Sequence, residues 1–98
     1  MKLLTETLKK QIPPLYSNEG VENPTIIAHF FNPMGIGDWY VLEGEEQEEG
    51  NWFFYGLVDL QMREYGYFSL KELENIKLPF GMTIERDVYW TPKGVNDV

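Results

Sequence analysis

A chain of 98 residues, 43% hydrophobic and 15% aromatic, has room for one core and the apolar side chains to fill it. It contains no cysteine, which excludes disulfides, thiolate metal sites, iron–sulfur clusters and thiol nucleophiles. A formal net charge of −8 disfavours direct binding to nucleic acid or to an anionic membrane, since both repel such a surface.

The opening residues Met1-Lys2-Leu3-Leu4-Thr5-Glu6 lack the apolar run of a signal peptide, and a cytoplasmic protein is expected. Residues 5–12 read as a short helix. Thr5 is placed to cap it, Glu6 lies in the first turn, Lys9 and Lys10 lie in the last, and Leu4, Leu8 and Ile12 form one apolar stripe. Pro13-Pro14 stops the helix, and 17–24 is a loop rich in Ser, Asn and Gly. Three strands are expected next: Thr25 to Asn32, Trp39 to Glu43 and Trp52 to Leu60. The first two are joined by a turn at Pro33, Gly35 and Gly37, and the last two by an acidic loop closing at Gly50-Asn51. The third is apolar on both faces and reads as central. Connections this short imply antiparallel neighbours.

Tyr67-Phe68 forms a brief fourth strand. A helix over 70–77 follows, opened by the capping box Ser69-x-x-Glu72 and by a staple of Phe68 on Leu73. Pro79-Phe80-Gly81 is a turn, Met82 to Trp90 a last strand, and 91–98 a flexible tail of a single domain spanning 1–98. The expected class is α+β, an antiparallel sheet of four to five strands with two short helices.

Several blocks resemble a family of small proteins, domain of unknown function 2958 (DUF2958). They are Pro13-Pro14-Leu15-Tyr16-Ser17, Phe30-Phe31-Asn32-Pro33, Trp39-Tyr40-Val41-Leu42-Glu43-Gly44, Phe53-Phe54-Tyr55-Gly56, Gly66-Tyr67-Phe68-Ser69-Leu70 and Leu78-Pro79-Phe80-Gly81 with Ile84-Glu85-Arg86-Asp87. The resemblance implies a bacterial setting on plasmids, conjugative elements or phages. It implies no activity.

Catalytic and metal signals are weak. His29 is the sole histidine and, lying within a strand, reads as structural. Ser17 and Ser69 have no G-x-S-x-G elbow around them, and Ser69 is explained as a cap. Gly35-Ile36-Gly37 lacks the remainder of a phosphate loop. Glu85-Arg86-Asp87 reads as an ionic cluster. The acidic run has no calcium-loop pattern, and its adjacent glutamates repel. No cofactor, metal or catalytic residue is expected.

Charge distribution is more informative. Residues 38–64 hold eight acids (Asp38, Glu43, Glu45, Glu46, Glu48, Glu49, Asp59, Glu64) and one base, Arg63, a net of −7 out of −8. Such a run is commonly a solvated loop. Alternate strand residues lie ~6.6–6.8 Å apart, so a row of carboxylates can also imitate phosphates. The expected function is thus a non-catalytic interaction protein of a mobile element or phage. It would present these acids, flanked by Trp39 and Trp52, to the basic groove of a host defence protein such as a CRISPR effector or restriction nuclease. Two alternatives stay open: an accessory or assembly factor that binds protein through an aromatic surface, which a homodimer could also use, and a small enzyme with a carboxylate site.

Overall fold

The computed structural model describes residues Met1–Val98. Helix α1, Glu6–Gln11, starts where the sequence indicates: the Thr5 hydroxyl accepts the Leu8 amide at 3.2 Å, and Ile12 is already extended ahead of Pro13. Seven strands follow. They are β1 (Thr25–Ile26), β2 (Ala28–Phe31), β3 (Asp38–Glu48), β4 (Asn51–Asp59), β5 (Arg63–Ser69), β6 (Glu85–Arg86) and β7 (Lys93–Gly94). A second helix, α2 (Leu70–Glu74), lies between β5 and β6, with Ser69 Oγ accepting the Glu72 amide at 3.1 Å. It is shorter than expected because Asn75 caps it and Leu78 is extended before Pro79. No helix is long and apolar enough to cross a membrane.

The main sheet is antiparallel, in the order β5-β4-β3-β2-β6, and a two-stranded sheet pairs β1 with β7. The protein is α+β. The central strand is β3, not the Trp52–Leu60 strand, because β2 and β6 add to β3 on the side away from β4. The acidic stretch also differs from its expected form. It is strand: β3 continues to Glu48, paired with β4 down to Asn51, and only the tight turn at Glu49-Gly50 is loop. Nine consecutive residues of β4 are extended and need a partner ladder, and β3 supplies it despite its charge.

One irregularity in that ladder sets the rest. Val41 faces Gly56 and Glu43 faces Tyr55, so Leu42 is an extra residue, a β-bulge. Strict alternation would send Glu43 to the face of Trp39 and Val41, into the core. The bulge instead leaves Leu42 and Glu43 together on the other face. The first face packs under α1, α2 and the N-terminal residues, with Phe30, Val41, Phe54, Leu4, Leu73 and Ile84 nearly inaccessible. The second face is smaller: Ile26, Tyr40, Leu42 and Leu57 lie beneath Val95 and Trp90.

That second core depends on residues 91–98, expected to be a flexible tail. They lie against the sheet, with Val95 buried, the Val95 amide donating to Pro24 O at 3.0 Å, and Arg63 Nη1 donating to Val98 O at 2.7 Å. The expected Met82–Trp90 strand shrinks to β6, because the Asp87 carboxylate accepts the Tyr89 amide at 3.0 Å and turns the chain. The Trp90 indole then donates to Ile26 O at 3.0 Å.

Beside the bulge, β4 approaches β3 so closely that a Cβ on Gly56 would stand 1.8 Å from the Tyr40 carbonyl oxygen. Gly56→Ala is therefore expected to destabilise the fold by about 3 kcal/mol or more, read as a lowered urea midpoint. Gly66→Ala, facing open space, should leave that midpoint unchanged or raise it.

Candidate binding site

The eight carboxylates expected to form one surface are dispersed by the fold. Asp38 and Asp59 face each other at one end of the β3–β4 hairpin, and Glu48 lies ten residues along β3, about 30 Å away at strand rise. Asp59 Oδ2 accepts Arg63 Nε at 3.1 Å. Asp38 Oδ1 lies 2.7 Å from His29 Nε2, and Asp87 Oδ2 lies 3.1 Å from His29 Nδ1. The imidazole thus sits between two carboxylates and stacks on Tyr40 at 4.6 Å, a structural arrangement with no serine in it. Glu46 closes the hairpin turn by accepting the Gly50 amide at 3.0 Å. Glu48, Glu49 and Glu64 are exposed. No group of three or more His, Asp or Glu side chains is arranged to hold a metal.

The two tryptophans do not flank an acidic loop. Trp39 is 7% exposed, belongs to the first-face core and lies at the hairpin end opposite the turn. Trp52 pairs with Glu46 near the turn and is half-buried against the same core. Both indoles follow the strand period into the interior, which removes them as an interface pair.

The structure instead assembles a site on the second face. Beyond residue 41, β3 has no β2 neighbour, and residues 13–18 cover its open side over residues 43–45. The Gly44 amide donates to Pro13 O at 2.9 Å, and Glu45 Oε1 accepts the Leu15 amide at 3.2 Å. Glu43, only 4% exposed, accepts the Tyr16 amide on Oε1 at 2.7 Å and the Asn18 amide on Oε2 at 2.8 Å. A buried carboxylate is tolerable when its oxygens are met by donors. These bonds also hold Tyr16 at φ 70°, a left-handed conformation that strains a non-glycine residue.

Between this loop and the tyrosines of β4 and β5 lies a cleft of about 490 Å³. Tyr16, Tyr55, Tyr65 and Tyr67 supply its aromatic walls, and Glu19, Glu22 and Glu43 its charge. No lysine or arginine lines it. Tyr55 and Tyr67 are cross-strand neighbours with ring centroids 5.0 Å apart, and Tyr55 stacks with Tyr65 at 6.1 Å. Desolvation by the surrounding rings, and after it the Tyr16 phenol, pushes the Tyr67 phenol above its ordinary value. Tyr40, beneath the second core, is raised too, by burial first and then by Asp38. Sequence reasoning missed this cleft. The available signal was the two-residue alternation Tyr65-x-Tyr67 opposite Tyr55.

The family model described as "Protein of unknown function (DUF2958)" matches residues 3–95. No curated protein and no solved structure matches the chain.

Glu43→Gln should lower stability by about 2 kcal/mol, since a charge-assisted acceptor of two amides is lost. Glu48→Gln and Glu49→Gln should stay within about 0.5 kcal/mol; chemical denaturation compares them. Phenols raised in the folded state contribute stability that is present below pH 10, the ordinary tyrosine value, and is lost as pH rises through their folded-state values. Unfolding free energy should therefore fall on the alkaline side. The fall should be shallower in a Tyr40→Phe/Tyr67→Phe double variant.

Proposed function

We propose that this chain, which belongs to the DUF2958 family, is a non-catalytic binding protein that takes a basic segment of another protein into its tyrosine-lined cleft. The observation that carries the reading is the composition of the cleft: four tyrosines, three glutamates and no basic residue. Tyrosine provides large, stiff contact area at interfaces. A lysine or arginine over a tyrosine face gains about 0.5–1 kcal/mol at an exposed site and more when desolvated. The net charge of −8 speeds encounter with a cationic partner.

The class of partner is the one expected from the sequence, a basic protein. A defence nuclease or CRISPR effector of a bacterial host carries the kind of basic surface required, and a mobile-element or phage setting would bring the two together. The recognised feature changes, however. A continuous row of phosphate-like carboxylates lacks support, since Asp38, Glu43, Glu45, Glu46 and Asp59 are each engaged within the chain. The aromatic surface of the accessory-factor alternative gains support.

The carboxylate-enzyme alternative asks for a concave acidic pocket, and this cleft is concave. Its one buried carboxylate, Glu43, already has each oxygen within hydrogen-bond distance of a backbone amide, which leaves it ill placed to exchange protons with a substrate.

The test is a fluorescence-anisotropy titration with a labelled arginine-rich peptide at several salt concentrations. Tyr67→Ala should weaken binding about 5-fold or more, while Glu48→Gln/Glu49→Gln should change it less than about 2-fold. The reverse order would favour the exposed acids and overturn the cleft. Tyr16→Gly relieves the strained φ and should keep or raise thermal stability while weakening the same binding.

A further inference from the structure

Much of the open strand edge of the main sheet is covered, and β5 carries the longest stretch that is not. The far edge, β6, is two residues long. Its Arg86 amide donates to the Met1 sulfur at 3.1 Å, and the Arg86 guanidinium holds the carbonyls of Lys2 and Leu3. The open side of β3 is covered over residues 43–45 by residues 13–18, through Glu43, Gly44 and Glu45, which leaves only the three residues before the hairpin turn uncovered. The long uncovered edge is β5. It runs seven residues at the other edge, pairs with β4 without a register break, and has no backbone bond to any segment on its outer side.

The common devices that blunt such an edge are sparse here. β5 contains no proline and no bulge, and its charges, Arg63 and Glu64, sit at one end. At its middle stands Gly66, whose missing Cβ would meet nothing within 4 Å and whose φ is not positive. Neither packing nor turn geometry within the chain requires a glycine there. Glycine inside a strand weakens it and often marks a place where another backbone or ligand comes close.

The register then connects the edge to the cleft. Tyr67 faces Tyr55 and Tyr65 faces Leu57, so both tyrosines stand on the cleft side of β5. A strand laid along β5 would place alternate side chains, ~6.6–6.8 Å apart, beside Tyr65 and Tyr67 and within reach of Glu19 and Glu22.

We propose that the partner's basic segment binds as an extended strand added to the outer edge of β5, with its alternate cationic side chains over the cleft tyrosines. This rests on the binding role proposed above and assigns its geometry. Main-chain hydrogen bonds supply affinity and the acidic tyrosine cleft supplies selection, as in strand-addition recognition. Pairing of two β5 edges in a homodimer is disfavoured, because each copy carries −8.

The experiment uses the full chain, ¹⁵N-labelled, and a decapeptide of alternating arginine and threonine. Two further versions of the peptide are N-methylated, each on one alternate set of amides. The parent peptide should slow hydrogen exchange of alternate amides within residues 63–69 at least about 10-fold. One methylated version should bind at least about 10-fold more weakly, and the other within about 3-fold of the parent, because only one set of amides faces the protein. Equal binding of both methylated versions, or cleft resonances that shift while the β5 amides exchange as before, overturns strand addition and leaves the cleft reading standing. No binding by the parent peptide overturns the cleft reading and the inference with it. A free protein that sediments as a dimer with its β5 amides already protected assigns the edge to self-association and overturns the proposal.

Discussion

The Glu43 carboxylate, buried and bound to the amides of Tyr16 and Asn18, is the interaction on which the tyrosine-lined cleft depends. Removing a carboxylate from water costs several kcal/mol unless donors replace the lost hydration, and here two loop amides do so. In return the loop acquires a fixed path along the open side of β3, with Tyr16 in a conformation it would otherwise leave. Glu43 reaches that position only because Leu42 is an extra residue in the ladder. Without the bulge the same side chain would point into the packed face. The chain of cause therefore runs from one inserted residue to a turned carboxylate, to an anchored loop, to a cleft wall.

The two faces of the sheet divide the labour. One is closed by helices and an aromatic core and serves stability. The other is covered only in part: Trp90, Val95 and Val98 pack over Tyr40, Leu42 and Leu57, and the cover stops short of Tyr65 and Tyr67. The tyrosines left outside are partly exposed amphipathic rings, apolar in body and polar at the hydroxyl, and the proposed binding role rests on them. In that proposal the acidic surroundings set the sign of the partner, and the free edge of β5 sets its direction.

Much of the fold was legible where local chemistry decides structure. Thr5, Ser69 with Glu72, and the prolines at 13 and 14 act within a few residues of themselves, and they place both helix starts and the end of α1, whereas α2 closes at Asn75, before Pro79 is reached. Antiparallel pairing followed from short connections. The extent of β3 was not legible, because five glutamates among seven residues read as a solvated loop, and only the demand of β4 for a hydrogen-bonded partner draws them into a strand. The bulge at Leu42 has no local signature. The ordering of residues 91–98 depends on Trp90, Val95 and Val98 meeting a sheet face built from distant residues, a long-range contact that periodicity does not reveal.

The site was the least legible part. Charge counting singled out the segment 38–64 but could not separate a carboxylate used inside the molecule from one offered to solvent, and Glu43 and Glu48 look alike in a sequence. The Pro13-Pro14-Leu15-Tyr16-Ser17 block gains a physical meaning once it is seen as the cover of an open strand side. The most direct test of this account is amide hydrogen exchange at Tyr16 and Asn18. If Glu43 anchors the loop, both amides exchange at least about 100-fold more slowly than in an unstructured chain, and both lose that protection in Glu43→Gln while β4 amides keep theirs. Exchange of the Tyr16 and Asn18 amides at unstructured rates in the unmodified protein would contradict it.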